Sequence, residues 1–88
     1  MKVNITIRVA VFSGFSDEYK IYKDCTTVRV PWPNRAVACV HWEVMDGGRQ
    51  IAANFFNRTL NNKEWGEIPV PIAELEDEAR KRASKYLS

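Results

Sequence analysis

The chain has little of what catalytic and metal sites are usually built from. Its 88 residues contain one histidine, His41, and two cysteines, Cys25 and Cys39. Structural zinc sites usually take their ligands in C-x₂₋₄-C or H-x₃₋₅-H spacing, and neither spacing occurs here. Gly47-Gly48 is an isolated glycine pair, without the lysine-terminated, glycine-rich loop that cradles phosphates. We therefore expect no metal and no cofactor.

Long apolar runs and strong net charge are also missing. No stretch approaches the ~20 apolar residues of a transmembrane helix, and the N-terminus alternates polar and apolar residues, unlike a secretory signal. We therefore expect Met1 to be a true start and the protein to be cytoplasmic, with no membrane contact and with free thiols. The net charge is +2, split into +4 over residues 1–63 and −2 over residues 64–88. That excess is too dispersed for a dedicated nucleic-acid binder.

The composition is that of an ordinary globular domain, with 45% hydrophobic and 27% charged residues. A chain of this length has room for one modest core, so we expect a single α+β domain over residues 1–88. Its predicted architecture is a small, mostly antiparallel sheet of about four to five strands, with one C-terminal helix packed on one face.

Residues 2–12 have the clearest strand pattern, because β-branched and polar residues alternate at period two. A second β region spans 19–32, but its apolar residues change parity partway along. A strand cannot change faces without a bulge or turn, so we predict a bulge or tight hairpin at Lys23–Thr26. Two prolines end this region, and the Trp32–Pro33 bond is a candidate cis peptide.

A β-hairpin is predicted around Gly47-Gly48, with both glycines at central turn positions that need positive φ and Asp46 opposite Arg49. On the predicted inner face, Val44 then pairs with Ile51, Trp42 with Ala53, and Val40 with Phe55. Residues 51–60 also fit helical spacing, but their asparagines are poor helix formers, so we favour a strand.

The C-terminal part is predicted to be a connector at 61–71 followed by a helix at 72–87. Apolar residues recur there at intervals of three or four, and acidic residues precede basic ones, which suits the helix macrodipole. The helix should form the i,i+4 pairs Glu76–Arg80, Asp77–Lys81 and Glu78–Arg82.

Cys39, His41 and Glu43 alternate along one predicted strand and therefore point to the same face. Nucleophilic catalysis would also need hydrogen-bond donors for the developing oxyanion. No glycine-rich loop or helix N-terminus follows Cys39 to supply them. We therefore predict no catalytic residues and no enzymatic activity.

One helix can cover only one face of the sheet. The open face is predicted to hold Lys2, Asn4, Thr6, Arg8, Cys39, His41, Glu43, Met45, Ala52, Asn54 and Phe56. Such a mixture of charged, polar and large apolar residues is typical of partner-binding patches. The connector tryptophans are expected to cap the core; if exposed, they would be contact anchors. The candidate partner-binding residues are Arg8, Trp32, Arg35, His41, Met45, Phe56, Arg58 and Trp65.

These features favour a non-enzymatic protein–protein interaction module: an inhibitor, an adaptor, or an accessory subunit that forms a homodimer. In size and general character the chain resembles the compact inhibitors and accessory proteins of phages and mobile elements, although no motif supports a family. The alternative is single-stranded nucleic-acid binding, with Phe56 and His41 stacking on bases and arginines contacting phosphates. The weak charge excess and Glu43 on the same face argue against it.

Overall fold

The fold consists of two antiparallel sheets and one helix. The computed structural model describes residues 1–60 and 66–87. Its elements are β1 (Lys2–Phe12), β2 (Tyr19–Lys23), β3 (Thr27–Val30), β4 (Arg35–Asp46), β5 (Arg49–Thr59), β6 (Gly66–Pro69), α1 (Ile72–Ala83) and a 3₁₀ turn (Ser84–Tyr86). The larger sheet has the strand order β2-β1-β4-β5, and the smaller one pairs β3 with β6. The predicted α+β class is therefore confirmed.

The core lies on one face of the larger sheet, which we call the covered face. β1 and β4 pair along their whole length, from Lys2 opposite Met45 to Phe12 opposite Arg35. This register places the odd residues of β1 beside the even residues of β4. The helix α1 packs on that side and buries Leu75 and two alanines. The smaller sheet adds buried valines and an isoleucine to the same core cluster.

The break predicted at Lys23–Thr26 exists, but it is neither a bulge nor a tight hairpin. β2 ends at Lys23, and Asp24 adopts a positive φ of 54°. The chain then leaves the larger sheet, because β3 pairs antiparallel with β6. The parity change in the sequence thus marks a change of sheet.

The hairpin β4–β5 forms with Asp46 opposite Arg49. Gly47 adopts the predicted positive φ, at 64°, but Gly48 does not. Residues 49–59 are a strand, as we favoured. The predicted register is wrong beyond the turn, because a bulge between Val44 and Met45 shifts the pairing by one residue. A one-residue shift moves every later side chain to the opposite face.

The C-terminal region differs from its prediction in three respects. The helix ends at Ala83, before the 3₁₀ turn, and the predicted pairs Glu76–Arg80 and Asp77–Lys81 do not form within the described chain. Residues 66–69 of the predicted connector form β6, while residues 61–65 lie outside the described part of the chain. The helix begins at Ile72 as predicted, and the Glu78–Arg82 pair forms at 3.1 Å. Within residues 1–60 and 66–87, no helix combines the length and apolar character needed to cross a bilayer.

Candidate functional site

The open face of the larger sheet is the side opposite the helix. It comprises the even residues of β1, the odd residues of β4, Gln50 and the odd residues of β5 from Ala53 onward, and Tyr19, Ile21 and Lys23 of β2. None of these side chains belongs to the core cluster of the described residues. Among the described residues, the side chains on this face of the sheet are therefore not part of the hydrophobic core.

An aromatic pair lies near the middle of the open face. His41 and Phe55 are direct cross-strand partners, and their rings stack with centroids 5.4 Å apart at 20°. Phe55 nevertheless keeps 55% of its surface exposed. Large aromatic side chains in this situation are frequent energetic anchors of protein interfaces.

A second aromatic cluster lies at one end of the face. The rings of Phe12 and Tyr19 are 5.1 Å apart, and the guanidinium of Arg35 lies 4.7 Å from the centre of the Phe12 ring. Small side chains, including Val37 and Cys39, line a hollow of about 560 Å³ beside this cluster. Arg35 precedes His41 by six positions in β4, which corresponds to about 20 Å along the strand.

A polar hollow of about 490 Å³ surrounds Glu43 on the other side of His41. Asn4 Nδ2 donates to one carboxylate oxygen at 3.0 Å, and Gln50 Nε2 donates to the other at 2.8 Å. These two hydrogen bonds, that from Asn4 first, hold the pKa of the Glu43 carboxyl below its usual value. The partner of Glu43 on β5 is Ala53, whose small side chain leaves space above the sheet. Glu43 is thus an oriented, ionised acceptor at the base of an open hollow.

The rest of the open face is basic. Its charged residues are Lys2, Arg8, Lys23 and Arg35 against Glu43, a formal balance of +3. Arg8 lies directly opposite Lys23, and like charges in that position repel each other. The Nε of Arg8 is buried and has no hydrogen-bond partner within residues 1–60 and 66–87. The repulsion between Arg8 and Lys23 favours an anion supplied from outside the chain, which would reach the outer guanidinium nitrogens of Arg8 and not its buried Nε.

The two cysteines lie in different parts of the fold. Cys39 shares the open face with His41 and Glu43, as predicted, whereas Cys25 packs against the core, and both are free thiols. Among the described residues, no group of three or more His, Cys, Asp or Glu side chains could hold a metal ion.

Four of the predicted binding residues lie together on the open face: Arg8, Arg35, His41 and Met45. Trp32 is 71% exposed beside its cis bond to Pro33, so the expectation that it caps the core is wrong. It lies in the β3–β4 connection, outside the sheet. Trp65 falls outside the described residues.

Phe56 and Arg58 were placed wrongly by the sequence. The bulge turns both toward the helix, together with Ala52 and Asn54. There Phe56 is 9% exposed, and the guanidinium of Arg82 lies 4.5 Å from its ring centre. Arg58 pairs with Glu74 of α1 at 3.5 Å. These contacts belong to the covered face.

The sequence also missed several apolar residues of the open face, above all Phe55, Tyr19 and Ile21. For Phe55, the alternation of the strand gave no sign of the bulge. For the β2 pair, a hairpin register with Phe12 opposite Tyr19 would have identified the side on which they lie.

Comparisons with known proteins add no relative: no family model, no curated protein and no solved structure matches this chain.

Proposed function

We propose that the chain is a non-enzymatic protein-interaction module that binds another protein through the open face. The observation that supports this best is the number of large apolar side chains left on an uncovered sheet. Tyr19, Ile21 and Phe55 are each 48–56% exposed there. Exposed apolar patches of this kind typically mark interaction sites. An inhibitor, an adaptor and a homo-oligomeric accessory subunit of the cytoplasm all belong to this class.

The size of the open face suits such a role. β4 has 12 residues and the sheet four strands, which gives a face about 40 Å long and about 19 Å wide at full strand length. Allowing for the shorter β2, this is about 600–700 Å². A standard protein interface buries about 800 Å² per partner, so the open face alone is nearly large enough.

Single-stranded nucleic acid is the second candidate, because the stacked His41–Phe55 pair lies among cations. The two aromatic clusters are about 20 Å apart, however, which is wider than a run of neighbouring bases. Ile21 offers no ring for stacking, and Glu43 would repel phosphates. A salt titration with a random oligonucleotide tests this candidate. Absence of binding at about 50 mM salt would remove it.

The experiment for the proposed function uses two phenylalanines. A tagged wild-type chain is compared with Phe55→Asp and with Phe15→Asp in capture from a lysate of the source organism. Phe15 is the matched control because it is fully exposed in the β1–β2 turn, outside the open face.

We expect a discrete protein, which can be the native chain itself, to be captured by wild type and Phe15→Asp and lost with Phe55→Asp. The proposal is overturned if every captured protein is insensitive to Phe55→Asp, or if capture depends on Phe15 instead. A nuclease-sensitive capture would support the second candidate.

A further inference from the structure

Taking the open face as the binding surface of the proposed function, we propose that its occupant is a second copy of this chain. The two copies pack face to face about a twofold axis that lies in the plane between the two sheets. The axis runs perpendicular to the strands and passes over β4 at the level of His41. This operation brings Glu43 of each copy to Arg8 of the other.

The match follows from positions in the sheet. Glu43 and Cys39 lie two residues on either side of His41, and Arg8 is directly opposite Cys39 on β1. Rotation about the axis exchanges these two levels of the sheet. Arg8 of one copy therefore comes over the Asn4–Glu43 pair of the other, and the symmetry creates the contact twice.

Glu43 and Arg8 each need an opposite charge once the open face is covered. Covering Glu43 with an apolar surface would bury a carboxylate with only two neutral amide donors, and a buried charge without a counter-charge is unfavourable. Arg8 has the complementary deficit, since its Nε lacks a partner in the described chain and Lys23 lies opposite it. An arginine is the appropriate cation, because its planar fork can bind a carboxylate with two hydrogen bonds.

The centre of this interface would be aromatic. Phe55 pairs with His41 and lies at the level of the axis, so the His41–Phe55 stacks of both copies meet there. At the periphery, Arg35 lies as far from His41 as the Gly47 turn does, so Arg35 of one copy comes over the turn of the other. An apolar centre with a charged rim is the usual anatomy of an interface.

Charge reversal tests the arrangement by sedimentation velocity from about 1 to 200 μM protein. Wild type is expected to dimerise in this range. Arg8→Glu and Glu43→Arg should each raise the dimer Kd by at least about a hundredfold, because each places two like-charge contacts in the interface. An equimolar mixture of the two variants restores both pairs in a heterodimer. Its Kd should return to within about tenfold of wild type.

Arg80→Glu, on the exposed side of α1, is the control reversal and should leave the dimer Kd unchanged within about twofold. Circular dichroism confirms that each variant folds. Where a reversal fails to fold, Arg8→Gln and Glu43→Gln replace it, with an expected weakening of at least about tenfold.

Three results would overturn the inference: monomeric wild type at 200 μM, a wild-type dimer insensitive to both reversals, or folded variants that stay monomeric when mixed. Any of them leaves the proposed function standing if a foreign protein is still captured through Phe55. Loss of Phe55-dependent capture, in contrast, overturns the proposed function itself.

Discussion

The two faces of the larger sheet are made by the same strands, yet they differ in almost every physical respect. On the covered face, Val9, Val40 and Val44 retain at most 1% of their surface, and each fully buried side chain of this size contributes about 1.5–3 kcal/mol. On the open face, the alternate positions hold histidine, glutamate and arginine. Alternation along a strand thus separates stability from recognition, and substitutions on the two faces should have different consequences.

The largest expected effect tests the covered face. Leu75 of α1 is completely buried against the sheet. Leu75→Ala should reduce the free energy of unfolding by about 2–5 kcal/mol, because it removes apolar contacts and leaves a cavity. Urea denaturation measures this. Ile21→Ala on the open face is the matched aliphatic control and should cost less than about 1 kcal/mol. Equal losses would mean that the open face also supports the fold.

The next effect compares two neighbouring residues that the structure places on opposite faces. Phe56 is 9% exposed and Phe55 is 55% exposed. Phe56→Ala should destabilise the protein by about 3 kcal/mol, and Phe55→Ala by about 1 kcal/mol or less, because its ring is largely in contact with solvent. Chemical denaturation of both variants checks this difference. The reverse order would show that the bulge between Val44 and Met45 is absent.

That pair also shows how far sequence reasoning reached. The alternation of residues 2–12 and 36–45 and the helical spacing after Ile72 are long, regular signals, and they correctly predicted β1, β4 and α1. The glycine pair and the Asp46–Arg49 pairing likewise predicted the β4–β5 hairpin. Hydrophobic periodicity over ten or more residues therefore predicted the elements and the orientation of β4.

The remaining features depend on events of one to four residues. A single extra residue in β5 moves the later side chains of that strand to the opposite faces of the sheet. The prediction therefore placed Phe56, and not Phe55, on the open face. β6 has four residues and ends at a proline, and it is a strand only because β3 leaves the larger sheet to pair with it. Local sequence does not encode this long-range pairing. The faces that the side chains of β2 occupy were not predicted either, because they follow from the register between β2 and β1.

A pH experiment tests the polar part of the open face, with an effect we expect to be smaller than that of Phe56. The pKa of Glu43 is lowered in the folded state by hydrogen bonds from Asn4 and Gln50. Its stabilising contribution is therefore present above the unfolded pKa of about 4.3 and is lost as pH falls through the lower folded value. Glu43→Gln has no carboxyl to titrate.

The thermal midpoints of wild type and Glu43→Gln should therefore differ most above about pH 5 and converge in acid. Differential scanning calorimetry across this range measures the difference, and the other carboxyl groups cancel because both proteins contain them. A difference that is constant with pH would mean that Asn4 and Gln50 do not stabilise the ionised form.

The smallest expected effect concerns a partly exposed ion pair of α1. Glu78 and Arg82 form an i,i+4 pair at 3.1 Å, with side chains 35% and 50% exposed. Glu78→Gln should cost no more than about 0.5 kcal/mol, because water and salt screen such pairs. The guanidinium of Arg82 also lies against Phe56, so Arg82→Gln should cost more than Glu78→Gln. Urea denaturation in low salt resolves the two, and equal losses would show that the contact with Phe56 adds nothing to the covered face.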